Sequence, residues 1–218
     1  MDKKINIKII REIIKSEEFI TELKKLSLWA SNIKQEAPII HILTKILTEQ
    51  GYLVALEWDK KNKHDMMVNH NAIIEAKFYY EEDIQHQLRL LFNKSGKNID
   101  QLLEWLEQKI ETKTSLYYDI AFYILKDIFY KLPNIFILII LSRNLLDVRE
   151  NDLEIINWSN QCIKYNKKFG YNNPKTFLIL QEFFEGIQKK KTFETCRIDI
   201  DANTKFPSTY HIHLFEFK

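Results

Sequence analysis

Asp65, Glu75 and Lys77 are the residues whose types and spacing can do chemistry. Residues 72–79 alternate, with Ile74, Ala76 and Phe78 on one side and Ile73, Glu75, Lys77 and Tyr79 on the other, as in a β-strand. Residues 64–68 read as a short preceding strand. Asn69-His70-Asn71 between them reads as a three-residue hairpin loop, because Asn tolerates the left-handed backbone such loops need. Val68 then pairs with Ala72, and Asp65 falls opposite Glu75. Directly opposed side chains lie about 5 Å apart at Cβ. Lys77, two residues on, points to the same face. Two carboxylates that close repel each other unless a cation sits between them. Their hard oxygens suit Mg²⁺, with Mn²⁺ as a substitute. Mg²⁺ keeps several waters and binds phosphate oxygens at the same time. A neighbouring lysine stabilises developing negative charge and orients the attacking water. Such a set is sufficient for phosphodiester hydrolysis.

Further elements must position this pair. A helix is expected over residues 16–32, with Phe19, Ile20, Leu23, Leu26 and Ile33 near one stripe. A second is expected from Glu36, with Pro38 in its first turn, Ile39, Ile40, Leu43, Ile46 and Leu47 on its apolar face, and Gly51 beyond its end. Residues 52–59 read as a strand. A long helical stretch follows over 82–132, interrupted near 94–97. The apolar run 135–141 reads as a buried strand, and 151–167 and 174–188 as helices. Residues 194–200 and 210–217 alternate and pair as a late hairpin. The sum is an α/β layered domain.

Asp65, nine intervening residues and then Glu75-Ala76-Lys77 resembles the D-x(n)-(D/E)-x-K signature of the PD-(D/E)xK nucleases, with His64 where the signature has proline. The resemblance covers residues 36–141. It implies a restriction-endonuclease-like core, a mixed four-stranded sheet flanked by helices, within a single domain spanning 1–218. Residues 1–35 would be a helical addition, and 150–218 a decoration for DNA contact or dimerisation. It also implies that Asp65, Glu75 and the Ala76 carbonyl bind metal, that Lys77 acts on the water, and that Glu36 helps hold the ion or its water. The implied activity is a Mg²⁺-dependent deoxyribonuclease acting on DNA as a homodimer, most simply an endonuclease of restriction or prokaryotic defence type. The alternatives are an exonuclease, a structure-specific repair or recombination nuclease, or a catalytically idle binding module.

Around this centre, Lys60, Lys61 and Lys63 suit phosphate contact by counterion release or a solvated turn, and Lys189, Lys190 and Lys191 suit a second patch or an exposed helix end. Gln85, with Gln87, suits an accessory place near the metal or a polar helix face. Glu57 and Asp59 share a face of the first strand and suit a second ion or solvent. His41 and His64 flank the centre without paired ligand spacing. Tyr79 and Tyr80 suit packing over base stacking. Of the 218 residues 45% are apolar, enough for a core, and the net charge is only +2, so any phosphate affinity must be local. Cys162 and Cys196 lack metal spacing and fit a reducing cytoplasm. The N-terminus has no secretory h-region, and the run at 135–141 is far short of a membrane span.

Overall fold

A computed structural model describes residues 4–29, 35–58, 64–81, 83–84, 120–143, 173–202 and 208–218, and positions 101, 104 and 108. Three helices come first: α1 (Ile7–Lys15), α2 (Glu17–Trp29) and α3 (Glu36–Glu49). Asn6 caps α1 by accepting a hydrogen bond from the Ile9 amide at 3.1 Å. Ser16 then ends α1 and starts α2, its Oγ accepting from Phe19 N–H. Helix α2 falls within the helix expected over 16–32, and α1 is a further helix before it. Gly51, at φ +84, follows α3 in the left-handed conformation expected of a glycine past a helix end.

The sheet is built from β1 (Val54–Trp58), β2 (His64–Val68), β3 (Ala72–Tyr80), β4 (Ile135–Arg143), β5 (Phe193–Ala202) and β6 (Ser208–Phe217). Its order is β1-β2-β3-β4-β6-β5. Only β3 and β4 run parallel, joined through a crossover that contains α4 (Ile120–Lys126) and a π-helical turn (Asp127–Lys131). The sheet thus has six strands where a four-stranded core with a separate C-terminal hairpin was expected. The hairpin joins the main sheet because β6 is apolar on both faces, with Ile212 and Leu214 on one and Phe215 on the other, and so belongs inside it.

Helices cover both faces. Helices α1–α3 pack on the side of Met66, Ile74, Ala76, Ile137 and Ile212. Helix α4, the π-turn and α5 (Asn173–Gln188) pack on the side of Phe136, Leu138, Ile140 and Phe215. Strand β4 contributes to both cores and is buried throughout residues 135–141, as a central strand must be. The α/β layering expected from the sequence is therefore present. The helix expected over 151–167 lies outside the described residues. Among the described residues, no helix is long and apolar enough to cross a membrane.

His213 of β6 lies beneath α5, its ring parallel to that of Phe215. Burial, with the positive charge of Arg197 and His211, pushes its pKa down to about 4. An unfolded histidine titrates near 6.5, so the folded state favours the neutral ring. The resulting stability is present above pH 6.5 and is lost as pH falls towards 4, by about 2–3 kcal/mol. We expect His213→Gln to flatten that part of the pH–stability curve, read by denaturant melts at pH 7, 5.5 and 4. A variant curve parallel to the wild type would assign the loss to other groups.

Candidate active site

The β2–β3 hairpin sets the geometry. Asn69 and His70 both adopt positive φ, at 50° and 58°. Val68 pairs with Ala72, Met67 with Ile73 and Met66 with Ile74, the register expected from the sequence. The paired register ends there; continued one position it would bring Asp65 opposite Glu75. The β2–β3 pairing stops at Met66–Ile74 while β3 runs on to Tyr80. The β3 amides past that point therefore need other acceptors. Asp65 Oδ2 accepts from Ala76 N–H at 2.8 Å, and Glu36 Oε2 accepts from Phe78 N–H at 3.1 Å. The orphaned edge of β3 thus draws two carboxylates to the place where Glu75 and Lys77 emerge. Glu36 is held from behind: Gln35, at the start of α3, accepts a 2.6 Å hydrogen bond from the Tyr210 hydroxyl of β6.

Two residues not singled out in the sequence complete the cluster. Asp127 Oδ2 lies 2.9 Å from Lys77 Nζ. Lys131 Nζ lies 2.6 Å from Glu75 Oε2 and 3.3 Å from Asp127 Oδ1. Lys77 Nζ also donates to the Ala76 carbonyl at 2.8 Å and stands 3.6 Å from Glu36. Glu75 Oε1 lies 2.8 Å from His64 Nδ1. Four carboxylates and two ammonium groups therefore interlock along β3.

Electrostatics follow from this arrangement. Burial raises the Glu75 pKa, the charge of Asp65 raises it further, and Lys131 only partly offsets both, leaving it at about 8. At Lys77, burial acts to lower the pKa, but Asp127, Glu36 and Asp65 together outweigh it and hold the ammonium firmly charged. Lys131 is raised in the same way, chiefly by Asp127 and Glu75 against burial.

The donor set is chemically suited to a hard divalent cation. Among the described residues no hydrogen bond to the buried Asp127 Oδ2 is made, its contact with Lys77 at 2.9 Å being an ion pair. Among the described residues, however, no three His, Cys, Asp or Glu side chains converge as a ready metal cage. The lysines and the β3 amides occupy the acids instead. The Ala76 carbonyl, a ligand by the resemblance, is likewise engaged by Lys77.

Other candidates fall elsewhere. Lys60, Lys61, Lys63, Asp59, Gln85 and Gln87 lie outside the described residues. Glu57 is exposed on β1, with φ +47, and His41 is exposed on α3. Tyr79 and Tyr80 are half-buried, Tyr80 edge-on to Phe78, as packing residues. Lys189 and Lys190 are exposed. Lys191 donates to the Ile128 carbonyl of the π-turn at 2.9 Å and lies over the Phe217 ring, so it braces the fold.

A second polar chain crosses the same sheet face. Ser142 Oγ donates to Glu81, His211 Nε2 is 2.9 Å from Ser142 Oγ, and His211 Nδ1 is 2.7 Å from Asp199. The order matches a serine nucleophile with its base and acid. Ser142 and Glu81 are buried, however, and the hydroxyl proton is committed to Glu81, so the chain reads as a tie between β3, β4, β6 and β5.

No family model, no curated protein and no solved structure matches the chain.

Proposed function

We propose that the chain is a Mg²⁺-dependent deoxyribonuclease, most simply an endonuclease of restriction or other prokaryotic defence type. The observation that carries the reading is the gathering of Glu36, Asp65, Glu75 and Lys77 on the free edge of β3. Asp65 and Glu75 would hold the cation, with Asp127 supplying a further oxygen. The ion, when bound, neutralises phosphate charge and makes water more acidic. Lys77, kept charged by its neighbours, would stabilise the charge growing on phosphorus as water attacks and the 3′ oxygen leaves. Glu36 fixes the β3 edge and the Lys77 stem. DNA as the substrate, and a homodimer for duplex cleavage, extend the family resemblance of the Asp65–Lys77 segment.

One observation favours a second reading, a catalytically idle nuclease-fold module: Asp65, Glu75, Glu36 and Asp127 are all engaged by an ammonium or a backbone amide. Incubation of purified protein with supercoiled and linear DNA, in Mg²⁺ or chelator, separates these readings. The nuclease reading expects nicking or linearisation of the supercoiled circle in Mg²⁺ only, and none by Asp65→Asn. Degradation of linear but not circular DNA would make the protein an exonuclease. Intact DNA and RNA in every condition would favour the idle module.

A further inference from the structure

We propose that Lys131 is a built-in stand-in for the divalent ion, bridging acids that would hold the ion and leaving them when it binds. The inference rests on the nuclease reading and deepens it by naming what governs access of the ion.

Lys131 Nζ bridges two acids, 2.6 Å from Glu75 and 3.3 Å from Asp127. Both carboxylates are buried, and Glu75 is further strained by Asp65. A positive charge at that point is what keeps such acids together. A divalent ion bound by Glu75 would need the same oxygens at about 2.0–2.1 Å and would repel an ammonium placed there. One of the two cannot remain.

The two lysines sit on different elements. Lys77 sits within β3 and is tied to the neighbouring Ala76 carbonyl, to Asp127 and to Glu36. Lys131 is the last residue of the π-turn, followed by Leu132 in the left-handed conformation and 61% exposed. The Lys131 side chain is 16% exposed, and on this proposal its ammonium leaves past the C-terminal end of the π-turn. A π-turn holds Asp127 and Lys131 on nearly the same side, and such turns occur frequently at functional sites. The release of Lys131 would then leave Asp127 beside Glu75 with an oxygen freed for the cation, while Lys77 stays in place for the phosphate.

The test uses Mn²⁺ as the probe, with two readouts on the full chain. The first is the reactivity of individual lysines towards an amine-acetylating reagent, read by mass spectrometry, with exposed Lys189 as the internal reference. The second is Mn²⁺ affinity by calorimetry for wild type, Lys131→Met and Asp65→Asn. The expected results are a severalfold rise in Lys131 labelling on Mn²⁺ addition, with Lys77 unchanged, and about tenfold tighter Mn²⁺ binding by Lys131→Met once the repelling charge is gone. Asp65→Asn should show neither Mn²⁺ binding nor the labelling change. If Mn²⁺ binds the wild type but Lys131 labelling stays constant, or Lys131→Met binds more weakly, the stand-in role is overturned while the metal site survives. If no Mn²⁺ binds even to Lys131→Met, the metal site fails and takes this inference with it.

Discussion

Lys77→Met is expected to abolish Mg²⁺-dependent cleavage, by on the order of a thousandfold, and to lower stability by about 3 kcal/mol. Both effects come from the same ammonium. Its contacts with Asp127, Glu36 and the Ala76 carbonyl place it at the centre of a buried charge cluster. Methionine keeps the volume of the stem but removes the charge. Asp127, only 4% exposed, then retains Lys131 on one oxygen and loses the ammonium facing the other. An uncompensated buried carboxylate is the costly outcome of breaking such a pair. Lys77→Met/Asp127→Asn should therefore recover much of the stability without recovering cleavage. Melting curves and plasmid cleavage of the single and double variants check this. A single variant that melts like the wild type would mean that the cluster is more solvated than its burial implies. A double variant that regains cleavage would remove Lys77 from the chemistry.

In chelator, Glu75 is expected to contribute a fall in stability of up to about 4 kcal/mol as pH rises from about 4.5 to 8, opposed below pH 6.5 by the rise that His213 contributes. The sign follows from its raised pKa of about 8. Between the unfolded and folded values the native protein holds a proton that the unfolded chain has released. The stability is present below pH 4.5 and is lost as pH rises through 8. A protonated Glu75 Oε1 can donate to His64 Nδ1 at 2.8 Å while Oε2 accepts from Lys131, so the neutral acid is well satisfied. Glu75→Gln should lose this slope and melt close to the neutral wild type. Mg²⁺ should oppose the slope, because the ion binds the deprotonated acid more tightly as pH rises. Denaturant melts at pH 5, 6.5 and 8, with chelator and with Mg²⁺, measure all three. A wild-type curve that runs parallel to that of Glu75→Gln in chelator would show Glu75 to be an ordinary ionised partner of Lys131.

The hairpin that carries Asp65 and Glu75 was legible because local chemistry fixed it. Asn69 and His70 take the left-handed turn, and a period of two then determines which side chains share a face. Glu36 was legible only through the family resemblance; its bond to the Phe78 amide depends on where the β2–β3 pairing stops, which no local pattern encodes. Asp127 and Lys131 were missed because residues 82–132 read as ordinary helix, on which an acid and a base four apart look like a solvated pair. The available signal was the setting of Asp127 between buried Leu125 and Ile128, an unusual place for a charge. The outer strands were recognised by alternation, but their place in the sheet was not. Strand pairing across a long separation leaves little local trace, and here only the two-sided apolar character of β6 pointed inward. The start of α2 at Ser16 was legible, its hydroxyl capping the helix, whereas the short α1 before it was not singled out.

The proposed nuclease site requires Asp65 and Glu75 to share a divalent cation. Anomalous diffraction from crystals soaked in Mn²⁺ tests it without reference to activity. The account predicts a peak within about 2.5 Å of a carboxylate oxygen from each of Asp65 and Glu75, with Lys131 turned away from Glu75 and Lys77 still beside Asp127. A map with no peak there, and with Lys131 still bridging Glu75 and Asp127, would contradict it and leave the cluster a structural ion-pair network.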